Sequence, residues 1–146
     1  MRVRIINGPN LNLLGQRESQ IYGVESLAAV EERMRDLAAE LGVEVDFVQS
    51  NSEGALVDAI QECRGQRDAI IINPGGYTHT SVAIHDAIRA AEVPAIEVHV
   101  SNIHAREGFR ATTITGAACV GIISGMGVLG YPLALRAAVE LAGREG

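Results

Sequence analysis

The 146-residue chain is 47% hydrophobic and 21% charged, a balance that excludes a disordered chain. Its 18 acidic against 12 basic side chains leave a net charge of −6 with no basic cluster, which makes nucleic acid and anionic membrane poor partners. Every basic side chain is an arginine, and without lysine a Schiff base, a P-loop or a receiver-type phosphorelay lacks a group that each normally uses.

The length fits one domain over residues 1–146, large enough to bury roughly 70% of the unfolded surface. Val3–Ile6 reads as a first buried strand, and the apolar run around it is too short for a signal peptide, which points to the cytoplasm. A long connection, Asn7–Glu25, follows. Leu27, Val30, Met34, Leu37 and Leu41 then recur on one helical face, with Ser26 as N-cap and Gly42 as stop. Val43–Val48 is the second strand. Ser50 and Glu53 have capping-box spacing ahead of Leu56, Ile60 and Cys63, and Gly65 ends that helix. Ala69–Ile72 is the third strand, followed by a helix from about Thr80 to Glu92, closed before Pro94. Ala95–Val98 and Cys119–Ile123 are the fourth and fifth strands, joined by a second long connection, Ser101–Ala118, and a last helix runs from near Val128 towards Leu141. The uncharged stretch Ala111–Leu135 is long enough to span a membrane. Its five glycines from Gly116 to Gly130 and Pro132 suit a strand, a turn and a helix start better. Cys63 and Cys119 form no Cys-x-x-Cys pair and read as small buried thiols.

Five strands alternating with helices imply right-handed βαβ units and a parallel sheet covered on both faces, in the flavodoxin-like order 2-1-3-4-5. Such sheets bind ligands beyond the carboxyl ends of their strands. In this order strands 1, 3 and 4 are neighbours. Their ends carry Asn7-Gly8-Pro9-Asn10, Asn73-Pro74-Gly75-Gly76-Tyr77-Thr78-His79, and Glu97 through Arg106, so amides, imidazoles and an arginine converge on one crevice.

Glu97 and His99, two apart on a strand, face the same side. A carboxylate fixes the tautomer of such an imidazole and suits it to acid catalysis; a purely structural pair is the alternative. Glu97, His99 and His104 lack a convincing further metal ligand. Asn73 and the glycines after it can form an anion or hydroxyl site, or merely a connecting turn. His79 at the helix entrance is a better ligand candidate than His85, expected to face solvent within that helix. The segment Gly15–Gly23, with Arg17 and Tyr22, reads as a closing lid or as a plain surface loop.

The run Asn7 to Gly15 with Arg17-Glu18 and Tyr22-Gly23, the block Thr78-His79-Thr80-Ser81 with Asp86-Ala87, and the block Glu97-Val98-His99, Ser101-Asn102, His104-Ala105-Arg106-Glu107 and Phe109-Arg110 together resemble the type II 3-dehydroquinate dehydratases, end to end. The resemblance implies cofactor-free, metal-free dehydration of 3-dehydroquinate to 3-dehydroshikimate in the shikimate pathway. It implies Tyr22 as the base, Arg17 as the group that holds this tyrosine ionised, and Arg106 as a second positive charge nearby. Asn10 would position a water on the enolate, and His99, oriented by Glu97, would be the acid. Asn73, His79 and Arg110 would contact substrate hydroxyls, and the backbone at Val100 and Ser101 would cradle the carboxylate. Asp86 would approach the site of a neighbouring subunit in trimers assembled into a dodecamer.

A free tyrosine titrates near pH 10, and a close arginine lowers such a value by about 1–3 units, so one or two arginines are a sufficient cause for a tyrosine base. Several positions depart from the family's usual residues: Ser19 for proline, Pro74 for alanine, His85 for arginine, and Ala111–Gly116 for a His/Ser/Tyr-containing run. Pro74 removes a backbone N–H from the turn at Asn73. The changes at His85 and Ala111–Gly116 bear on subunit contacts more than on catalysis. Against a nucleotide-binding or receiver module stands the lack of a P-loop, a lysine or an aspartate at the end of strand 3. A non-catalytic flavodoxin-like binding module or scaffold remains the alternative.

Overall fold

The computed structural model describes residues 1–145. In chain order the elements are β1 (Arg2–Asn7), a one-turn α1 (Ser19–Tyr22), α2 (Leu27–Leu41), β2 (Glu44–Gln49), α3 (Glu53–Gln61), β3 (Ala69–Asn73), α4 (Val82–Ala91), β4 (Ala95–His99), β5 (Gly121–Ser124) and α5 (Gly130–Glu145), with short 3-10 turns between them. The strands form one parallel sheet in the order β2-β1-β3-β4-β5, the flavodoxin-like order expected from the sequence.

Alternation along the strands sorts the core into two layers. Val3, Ile5, Ile71 and Val98 pack under α2 and α5, while Ile6, Ile70, Ile72 and Ala95 pack under α3 and α4. The same alternation places the polar strand ends. Asn7 and Asn73 are register partners at the ends of β1 and β3, on the face covered by α5. Glu97 and His99 follow Ala95 onto the face covered by α4.

Several boundaries differ from the sequence reading. Ser52, not Ser50, caps α3 by accepting from the Ala55 N–H, whereas the Ser50 hydroxyl accepts from the Ser52 N–H one turn earlier. Ser81, one residue past Thr80, caps α4 by accepting from Ile84 N–H. Strand β5 starts at Gly121 because Gly116–Ala118 first closes a 3-10 turn capped at Cys119. Cys63 is fully buried and Cys119 only partly so; burial, followed by the nearby Glu97 charge, pushes the Cys119 thiol up to about 12. His85 is half-buried rather than turned to solvent. No helix among the described residues is long and apolar enough to cross a membrane.

Candidate active site

The turns after β1 and β3 press against each other, and glycine at position 8 permits it. A Cβ on Gly8 would lie 2.4 Å from the Pro74 carbonyl oxygen, and the Gly8 N–H donates to Asn73 O at 2.7 Å. Pro74 leaves no donor missing, because the side chain of Asn73 accepts instead from the N–H of Gly75 at 3.1 Å. Asn10 holds a left-handed backbone with φ 69°, which asparagine tolerates, and its N–H donates to Asn51 Oδ1 at 3.0 Å.

A cavity of about 110 Å³ opens above these turns. Asn10 and Asn73 line it from the ends of β1 and β3, and Gly75, Gly76 and His79 from the turn that follows. His99, Val100, Ser101, Arg106 and Arg110 line it from the end of β4 and the loop beyond. Arg17 and Tyr22 close it from the segment that carries α1. Ten of the twelve site residues expected from the sequence thus meet here. Glu97 lies behind His99, fully buried, and Asp86 is on the outer surface of α4, with its side chain 71% exposed and beside His85 Nδ1 at 3.1 Å.

The two arginines stand differently at Tyr22. Arg106 Nη1 donates to the Tyr22 hydroxyl at 2.8 Å and to Ser101 Oγ at 3.2 Å. Arg17 stands 4.8 Å from the ring centroid and pairs with Glu18 at 3.0 Å. The closest cation to the phenolic oxygen is therefore Arg106, which gives it a charge-assisted hydrogen bond.

His99 Nε2 donates to Glu97 Oε2 at 2.9 Å. A carboxylate has no proton to give in return, so Nδ1 is the ring nitrogen left for a ligand. Glu97 also accepts from Thr113 Oγ1 at 2.7 Å and, through a very short contact, from Thr115 Oγ1. Burial alone would raise the Glu97 pKa, but the bonds from His99, Thr115 and Thr113 outweigh it and hold the carboxyl below its usual range. Thr78 Oγ1 completes the cluster, 2.7 Å from Thr115 Oγ1 and 3.4 Å from His99 Nε2. A Cβ on Gly116 would come within 2.6 Å of Ile122 Cδ1, 2.7 Å of Thr113 Cγ2 and 3.0 Å of Glu97 Oε2, so any larger residue would have to displace these side chains for the loop to close over the carboxylate.

At the cavity edge His79 Nδ1 donates to the Thr112 carbonyl at 2.8 Å, which leaves Nε2 for a ligand. Arg110 is held by Glu107 at 2.8 Å. Among the described residues no three His, Cys, Asp or Glu side chains are grouped as a metal-ligand set.

Sequence reasoning missed Thr113, Thr115 and Tyr131. The run 111–116, expected to bear on subunit contacts more than on catalysis, supplies two of the groups that hold Glu97. Only its placement after Phe109-Arg110 could have hinted at this. Thr78 was at least adjacent to His79 in a recognised block.

Comparison with known proteins shows the family. The family model for Dehydroquinase class II matches residues 1–139. A 3-dehydroquinate dehydratase of Jannaschia sp. (strain CCS1) is 53% identical over 140 residues, covering 96% of this chain and 95% of the relative. Another, from Desulforudis audaxviator, is 51% identical over 144 residues, covering 99% and 96%. The crystal structure of a type II dehydroquinase from Butyrivibrio crossotus superposes with a TM-score of 0.93 at 44% identity, covering 94% of this chain and 97% of the other. With the match running along nearly the whole chain, this protein belongs to the class II dehydroquinase family.

Proposed function

We propose that this chain dehydrates 3-dehydroquinate to 3-dehydroshikimate in the shikimate pathway, by anti elimination through an enolate within one catalytic domain over residues 1–146. The observation that carries the reading is a phenol and an imidazole opening onto one cavity, each backed by a group of opposite charge at hydrogen-bond distance. Tyr22, as phenolate beside Arg106, takes the proton alpha to the ketone, and the C–H electron pair moves into the enolate. Asn10 positions a water on the enolate oxygen, where a fixed donor stabilises developing charge. The carbonyl re-forms, the carbon–oxygen bond to the leaving hydroxyl breaks, and His99 Nδ1 supplies the proton that makes it water. Glu97 stabilises the imidazolium from which the acid starts.

The base sits on the segment that closes the cavity and the acid at the end of β4, which favours removal of hydrogen and hydroxyl from opposite faces of the substrate. Asn73, His79 and Arg110 would bind hydroxyls, and the backbone at Val100 and Ser101 the carboxylate. Enone absorbance with 3-dehydroquinate tests the reading directly, and inert, folded protein would favour a non-catalytic module instead. Substrate deuterated stereospecifically at the alpha carbon tests the geometry: loss of the hydrogen syn to the hydroxyl would refute it. The reading assigns no metal or cofactor to either step, so turnover should survive exhaustive dialysis against EDTA.

The same reading includes trimers assembled into a dodecamer. Asp86 is exposed and does not line its own chain's cavity, so its role at a site is assigned to a second copy. Val120, Ile122, Met126, Leu129 and Leu133 form an exposed apolar margin along β5 and the start of α5. Light scattering that found a fully active monomer would defeat the assembly.

A further inference from the structure

Tyr131, in the first turn of α5, is completely buried, and no step of the proposed reaction uses it. Its hydroxyl bridges Asn7 and Asn73, the side-by-side last residues of β1 and β3. The direction of this chain of hydrogen bonds is set at one end by a backbone group. The Gly75 N–H can only donate, and it donates to Asn73 Oδ1 at 3.1 Å. Asn73 Nδ2 therefore faces Tyr131, 3.1 Å away, and the tyrosine oxygen accepts from it. The tyrosine proton is thereby directed to Asn7 Oδ1. Flipping the Asn73 amide would set its Nδ2 against the Gly75 N–H, two donors face to face at a buried position, which is costly.

We infer that Tyr131 is a positioning residue: together with Gly75 it locks the Asn73 amide so that the second Nδ2 proton is presented to the cavity, selecting a substrate oxygen that accepts a hydrogen bond there. The inference rests on the reading of Asn73 as a substrate contact.

The experiment compares steady-state kinetics on 3-dehydroquinate for wild type, Tyr131→Phe, Asn73→Ala and the double variant. Phenylalanine keeps the buried ring and removes only the hydroxyl. Tyr131→Phe should raise KM about tenfold with kcat within about threefold of wild type, the scale of one mispositioned hydrogen bond. The double variant should be no worse than Asn73→Ala alone. An unchanged KM in Tyr131→Phe, a fall in Vmax alone, or effects that multiply in the double variant would each overturn the inference, since a merely structural tyrosine acts through the amount of folded protein. If Tyr131→Phe does not fold, Asn73→Asp decides: its carboxylate offers only acceptors, so KM should rise by more than about tenfold, and an unchanged KM would overturn the proposal. Failure of the functional reading has a different signature, because wild type would then be inactive on 3-dehydroquinate or Asn73→Ala without effect.

Discussion

The two ends of the sheet carry the same kinds of charged side chain and use them in opposite ways. At the amino-terminal edge Arg4, only 8% exposed, bonds to Glu62 at 2.8 Å, Asp46 at 3.0 Å and the Ala59 carbonyl at 2.9 Å. Arg67 grips Asp46 with two bonds of 3.0 Å. Each guanidinium there has its carboxylate, and the cluster is closed on itself. At the carboxyl edge Arg106 stands 3.8 Å from Glu107 and gives its shortest bond to the Tyr22 oxygen, His99 keeps Nδ1 clear of Glu97, and both open onto a cavity. A charged cluster at a strand end supports chemistry when its bonding is left incomplete towards a space a ligand can enter. When the bonding is complete it supports stability.

Breaking the open end should hurt turnover and spare folding. The largest effect belongs to Tyr22→Phe, which removes the proposed base without disturbing either arginine's packing. We expect kcat to fall by about 10³-fold or more, within the range for loss of an acid–base group, with the melting temperature little changed. Wild-type-like turnover would remove Tyr22 from the mechanism.

The two arginines at Tyr22 come next and separate contact with the oxygen from contact with the ring. Arg106→Ala should lower kcat by about a hundredfold, since it removes a charge-assisted bond to the phenolic oxygen. Arg17→Ala should lower kcat by about tenfold and leave KM within a few-fold, because its guanidinium stands over the ring. The reverse order would assign the phenolate to Arg17, as the family resemblance implied.

Breaking the closed end should do the opposite. Arg4→Met should destabilise the fold by about 2 kcal/mol in denaturant titration, because it strips partners from Glu62, Asp46 and a buried carbonyl, while kcat and KM stay unchanged. A kinetic effect without a stability effect would erase the distinction between the two ends.

The smallest effect is in pH dependence at the same place. Burial would raise the Asp46 pKa, but the bonds from Arg67 and Arg4 outweigh it and hold the carboxyl below its ordinary value. Its contribution to stability is therefore present above the ordinary aspartate value and is lost as pH falls through the lower folded value. Because Asp46 is 39% exposed, solvent screening limits that contribution to about 1 kcal/mol. Asp46→Asn should show this deficit at pH 7, and the gap to wild type should close below about pH 4. A gap that stayed constant down to pH 2 would show that charge is not its source.

Much of this molecule was legible from local spacing. Strand and helix periods, and the rule that parallel sheets bind ligands past their strand ends, led to the order 2-1-3-4-5 and to a crevice shared by the ends of strands 1, 3 and 4. The two-residue step from Glu97 to His99 put both on one face because backbone geometry alone dictates it. Tertiary docking decided what spacing cannot encode. Thr115 reaches Glu97 across 18 residues, Arg106 reaches Tyr22 across 84, and Tyr131 reaches Asn7 across 124. Such pairs leave no period in the chain. They form because α5 packs on the face where Asn7 and Asn73 end, and because the 111–118 loop folds over the face where Glu97 lies. Which hydroxyl or guanidinium meets which acceptor is set by how layers and loops close over the sheet, and only the folded molecule carries that information.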